Sequence, residues 1–209
     1  MFNYVSFVRN LFPYDAHRKI QRILNRHLIS SVNNERIVLQ ETFKMLMSQS
    51  SLRALDICPT PDLSLIQNVP FFTYPGAMGC LKNLLELKLT YTRIHHNPGV
   101  HPEFFHQLST ICHSIRSLCL SLTEVFSDVN GLTDLISVQQ KLEYVSISFR
   151  HDCDTIKIIP SLTKLPNTLI GLDIELGEHY LPLSFISRLT NLQKLTLSFQ
   201  YHDEHFKHL

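Results

Sequence analysis

The chain has 209 residues, 44% of them hydrophobic and 18% charged, with a formal net charge of +1. Such a composition belongs to a folded chain, and the near-neutral balance supplies no global field for nucleic acid, an anionic membrane or an acidic substrate. No apolar run approaches the ~18 residues of a membrane helix, and Arg9 interrupts the apolar patches of the first residues, so they do not read as a secretory signal.

The five cysteines, Cys58, Cys80, Cys112, Cys119 and Cys153, are odd in number, and no two are spaced Cys-x-x-Cys. There is no Asn-x-Ser/Thr glycosylation acceptor. Together these features point to a reducing, intracellular setting, cytoplasm or nucleus. Each cysteine reads as a small buried or half-buried hydrophobe.

In chain order, residues 1–50 read as a helical N-terminal cap. Asp15 is the expected cap of a helix with Ile20, Ile23, Leu24 and Leu28 on one face. Asn34 is the expected cap of a second helix carrying Leu39, Phe43, Leu46 and Met47. Such a pair would cover the open end of whatever follows.

From 51 to 209 the sequence repeats. A Leu-x-x-Leu-x-Leu pattern, with Ile or Val substituting, occurs at Leu52, Leu55, Ile57; Leu84, Leu87, Leu89; Ile115, Leu118, Leu120; Leu142, Val145, Ile147; Leu169, Leu172, Ile174; and Leu192, Leu195, Leu197. Successive starts lie 32, 31, 27, 27 and 23 residues apart, against about 20–29 for leucine-rich repeats. The last two positions of each triplet alternate with other residues, as in a short strand with one buried face. The first leucine closes the preceding turn. One unit cannot bury its apolar face alone, whereas stacked units form a parallel sheet and a continuous core. The expected fold is therefore an α/β leucine-rich-repeat solenoid of the ribonuclease-inhibitor kind, with six short parallel strands and outer helices.

Between the strands, Pro102 suits a helix start, followed by Phe104, Leu108 and Ile111. Asn130 is the expected cap of a helix with Leu132, Leu135 and Ile136. Leu181 to Leu189 is a shorter candidate broken early by Pro182, and Ile159 to Leu165 is no more than one turn. After the strands, the places of an asparagine ladder hold Thr60, Thr92, Thr123, Arg150, Gly177 and Gln200, so no uniform ladder is expected. The array stops just past the sixth strand and reads as truncated, or as needing a partner at that end.

The stretches 104–115 (FFHQLSTICHSI) and 131–142 (GLTDLISVQQKL) resemble repeat segments of F-box/leucine-rich-repeat proteins, of the type expanded in symbiotic soil fungi. This resemblance implies the substrate-recognition part of a cullin-type ubiquitin-ligase adaptor, with the repeats holding an unknown protein target. It implies a Skp1-like adaptor only where an F-box lies upstream. Residues 1–50 have no Leu-Pro pair and the chain has no Trp, both of which an F-box would carry.

Residues flanking the buried leucines of each strand would share the concave face. They include Asp56, Glu86, Lys88, Ser117, Cys119, Tyr144, Ser146, Asp173, Glu175 and Lys194. The centre is small and weakly polar, the ends carry mixed charge, and Tyr144 is the single aromatic anchor candidate. The alternatives are a merely solvated face and a contact made by the helices.

Catalytic and metal constellations are weaker. In the stretch 101–106 (HPEFFH) the histidines are five apart, not the four that a zinc helix requires. His95, His96 and His101 lie in an expected loop, and His202, His205 and His208 in an expected solvated tail. Asp173 and Glu175 share a strand side about 7 Å apart, with no aromatic sugar platform beside them. Arg18, Arg22 and Arg26, beside Lys19, form a basic stripe that reads as the wet face of a helix. There is no Gly-rich phosphate loop and no nucleophile–base signature, so no cofactor and no enzymatic activity are expected.

Overall fold

Alternation decides the strands. Leu118, Leu120 and Leu122 are buried while Ser117, Cys119 and Ser121 are half-buried, and the same rhythm recurs in the neighbouring strands. In a computed structural model, described for residues 4–27, 31–58, 71–91, 103–122, 129–149, 158–176 and 182–199, these segments form one open parallel sheet. Its strands are β1 (Asn10–Leu11), β2 (Ala54–Ile57), β3 (Glu86–Tyr91), β4 (Ser117–Leu122), β5 (Tyr144–Phe149), β6 (Gly171–Leu176) and β7 (Lys194–Phe199), in sequential order.

The protein is thus α/β, with seven parallel strands where six were expected. The extra strand, β1, is two residues long and pairs Asn10 with Ala54 and Leu11 with Leu55. It lies inside the stretch expected to be purely helical.

The helices are α1 (Pro13–Arg26), α2 (Val32–Gln49), α3 (Ala77–Leu81), α4 (Phe104–Ile111), α5 (Val129–Ser137) and α6 (Ile159–Leu162). A 3-10 turn, Leu183–Arg188, precedes β7 and starts after Pro182. Buried residues of the helices and of the strands belong to one apolar core, which runs from Leu11 to Leu189. Among the described residues no helix covers the other face of the sheet. Among the described residues no helix is long and apolar enough to cross a membrane.

Local capping departs from expectation. Asp15 does not cap α1; the helix begins at Pro13, whose missing N–H suits a first turn, and Asp15 sits within that turn. The buried stripe of α1 is Pro13, His17 and Ile20, while Ile23 is 56% exposed. His17 Nε2 lies 3.8 Å from Glu35 Oε2 of α2, and both residues are buried. The cap of α2 is Ser31, whose Oγ accepts the Asn34 N–H at 3.2 Å; Leu39, Phe43, Leu46 and Met47 are buried on that helix as expected. Asn130 lies inside the first turn of α5, not before it, and Leu132, Leu135 and Ile136 are buried. On α4, Phe104 and Leu108 are buried and Ile111 half-buried. Pro102, Leu28, Cys153 and all six ladder positions lie outside the described residues.

Polar side chains link successive units in the turns before the strands. Gln139 is 3% exposed. It accepts the Ile115 N–H at 2.9 Å and donates to the Cys112 carbonyl at 2.6 Å and to the Leu135 carbonyl at 2.9 Å. The Cys112 thiol donates to the Leu81 carbonyl at 3.3 Å, and the Thr168 hydroxyl to the Leu142 carbonyl at 2.8 Å. Burial pushes the Cys112 thiol up to about 12, so it stays protonated and acts as a packed donor.

Candidate functional site

The parallel register arranges the open face in three rows. One runs Ala54, Glu86, Ser117, Tyr144, Gly171, Lys194; the next runs Asp56, Lys88, Cys119, Ser146, Asp173, Thr196. The third runs Thr90, Ser121, Ser148, Glu175, Ser198. At about 4.8 Å per strand the first two rows span about 24 Å. On these rows Asp56, Glu86, Lys88, Ser117, Cys119, Tyr144, Ser146, Asp173, Glu175 and Lys194 are half-buried or exposed, and Gly171 is buried.

Their chemistry is unequal along the sheet. At the β2–β3 end, Lys88 Nζ lies 3.5 Å from Asp56 Oδ2, a cross-strand pair that neutralises itself. In the middle, Ser117, Cys119, Ser121, Ser146 and Ser148 leave the surface low. Towards β6, the Ser148 hydroxyl donates to Glu175 Oε2 at 2.7 Å, and the Ser146 hydroxyl stands 3.5 Å from Asp173 Oδ2, at the limit of a hydrogen bond. Each acid of the pair thus has a serine of β5 beside it.

Tyr144 is 50% exposed and owes its place to a glycine. A Cβ at Gly171 would stand 2.7 Å from Tyr144 Cδ1, so only glycine lets the ring lie across β6. Beside the ring is a shallow hollow of about 140 Å³ bordered by Ser117, Cys119, Ser146, Asp173, Lys194 and Thr196. An aromatic ring at the edge of such a hollow, ringed by hydroxyls and one charge of each sign, can anchor an extended segment by apolar contact and peripheral hydrogen bonds.

A second, larger concavity of about 480 Å³ lies where the chain enters the strands, lined by Arg9, Ser51, Arg53, Asn83, Leu85, Ser114, Arg116 and Lys141. None of its arginines was read from the sequence as a binding residue; Arg9 was noted only for interrupting the apolar N-terminal patches. The signal was present in the residue between the first leucine of each triplet and its strand, which is Arg53, Leu85, Arg116, Glu143, Ile170 and Gln193 in turn.

Among the described residues the remaining motifs do not assemble into a site. His106 Nδ1 lies 3.1 Å from Asp134 Oδ2 on the exposed helical side. Arg18 stacks over Tyr14 at 5.5 Å, and Arg22 and Arg26 are exposed on the same helix. Among the described residues no group of three or more His, Cys, Asp or Glu could hold a metal ion. His95, His96, His101, His202, His205 and His208 lie outside them. No protein-family model matches the chain, and no curated protein matches it.

Proposed function

We propose that the chain is a leucine-rich-repeat protein-binding module, not an enzyme, and that a segment of a partner protein lies across its open face. The observation that carries this reading is the Tyr144 ring held over Gly171 beside a hollow in an otherwise low, hydroxyl-rich sheet face. Aromatic residues in partly desolvated hollows contribute disproportionately to binding, and surrounding hydroxyls supply hydrogen bonds without a large desolvation cost. The six Leu-x-x-Leu-x-Leu triplets, five of them with a first residue almost fully buried, support the repeat assignment.

Together with the resemblance of 104–115 and 131–142 to F-box/leucine-rich-repeat proteins, the proposed role is substrate recognition within a ubiquitin-ligase adaptor. The alternative is a stand-alone scaffold or inhibitor with no ubiquitin link. Affinity capture followed by mass spectrometry separates the two: Skp1-like and cullin subunits are recovered with the adaptor, and a different stable partner alone is recovered with the scaffold. Tyr144→Ala combined with Asp173→Ala is expected to weaken capture of the partner at least ~10-fold, as loss of a central anchor does. Unchanged capture by that variant removes the open face from the account.

A further inference from the structure

We infer that the cationic groove at the start of the strands binds a carboxylate-rich, extended segment of a partner protein. The backbone builds this groove regularly. The Arg9 carbonyl accepts the N–H groups of Arg53 and Ala54, that of Arg53 accepts those of Leu85 and Glu86, and that of Leu85 accepts those of Arg116 and Ser117. Each rung therefore sets one residue directly beside the next, at about one strand spacing (~4.8 Å). The column reads Arg9, Arg53, Leu85, Arg116, and Lys141 adds a fourth cation in the concavity.

Like charges at such spacing repel one another, and little inside the groove compensates them. The Arg9 guanidinium donates to the Ser51 carbonyl at 3.2 Å, which orients it without neutralising it. Arg116 Nη1 lies 3.6 Å from Glu143 Oε1, a pair too exposed to hold strongly against a competing carboxylate. Glu86, exposed at the start of β3, follows the groove residue Leu85 in the chain and is the second acid next to the column among the described residues. The Arg53 and Lys141 head groups have no ion pair or hydrogen bond among the described residues. Among the described residues, four cations against two carboxylates leave an uncompensated positive site on a protein whose net charge is only +1.

The geometry favours an acidic peptide over nucleic acid. Base stacking needs aromatic platforms, and the groove lining has none. An overall charge near zero also gives no long-range attraction to a phosphate polymer. An extended chain covers the two-rung gap from Arg53 to Arg116, about 10 Å, in roughly three residues. Arginine forks pair with carboxylates through two parallel N–H bonds, and Ser51, Asn83 and Ser114 offer short polar contacts between them. This deepens the reading of the chain as a protein binder, and rests on it for the nature of the partner.

The test is fluorescence anisotropy of the full chain with a fluorescein-labelled peptide of alternating glutamate and serine. Its glutamine counterpart, inorganic pyrophosphate and an oligo-thymidylate serve as the other arms. The glutamate peptide binds, the glutamine peptide does not, and about 1 M salt, where the screening length is ~3 Å, abolishes binding. Arg53→Gln with Lys141→Gln weakens binding about tenfold, and Arg53→Glu with Lys141→Glu weakens it further, each variant retaining the circular dichroism of the parent. Equal binding by the parent and by a folded charge-removed variant overturns the proposal. So does tighter binding of oligo-thymidylate than of the peptide, or pyrophosphate that displaces the peptide at equal charge concentration. Ser137→Ala, on the exposed helical side, leaves peptide binding unchanged, and the open face is tested separately by partner capture with the Tyr144→Ala, Asp173→Ala variant, so failure in the groove and failure on the open face are read separately.

Discussion

Gln139 shows how one residue can hold two units together. Its amide is almost fully buried and satisfies an N–H and a carbonyl that belong to the preceding turn, at Ile115 and Cys112. Removing it strands both groups away from water, each at about 1–3 kcal/mol. Gln139→Ala is therefore expected to lower unfolding free energy by about 2–4 kcal/mol in urea titration. The exposed Ser137→Ala should stay within about 0.5 kcal/mol of the parent, and equal effects of the two would contradict the role. This linkage was illegible in the sequence, because its partners lie 27 and 24 residues away and no local pattern joins them. Tyr144 was legible, as the only aromatic at its alternating positions, but its seat on Gly171 depends on the strand register. Asp15 and Asn34 were misjudged as caps for a related reason. No side chain caps α1, which starts on Pro13 just after β1, whereas at α2 Ser31, Asn33 and Asn34 are all chemically able to cap and Ser31 is the one that does.

At the scale of elements, a strand declares itself through period-2 alternation over enough residues to bury a face. Strands β2 to β7 meet that condition, and each falls on its triplet. A strand of two residues such as β1 has no period to read, and the bonds to β2 alone make it part of the sheet. The last strand differs in cover from those before it. In β5 and β6 the first inward residues, Val145 and Leu172, are 2% and 1% exposed, whereas Leu195 of β7 is 45% exposed. Among the described residues β7 pairs with β6 alone. Low cover and a single hydrogen-bonded neighbour lower the free energy of local opening. Amide hydrogen exchange should accordingly be faster in β7 than in β4 and β5. Equal protection in all three would mean that the last strand is held by contacts other than those described.

For the whole molecule, parallel strands in sequential order place the buried leucines on one side and, on the other, three rows of small or charged residues with Tyr144 among them. That division was readable because a single leucine pattern recurs through the chain. The cationic groove was not read, because it belongs to neither face: its residues sit between the turn and the strand, where alternation assigns no side. The account centres on partner contact at the open face, and site-specific photo-crosslinking tests it most directly. A crosslinking amino acid is placed at Tyr144 in one variant and at the exposed Ser137 of α5 in another. The account predicts that the captured partner is crosslinked from position 144 and not from position 137; crosslinking from 137 alone would place the contact on the helices and contradict it.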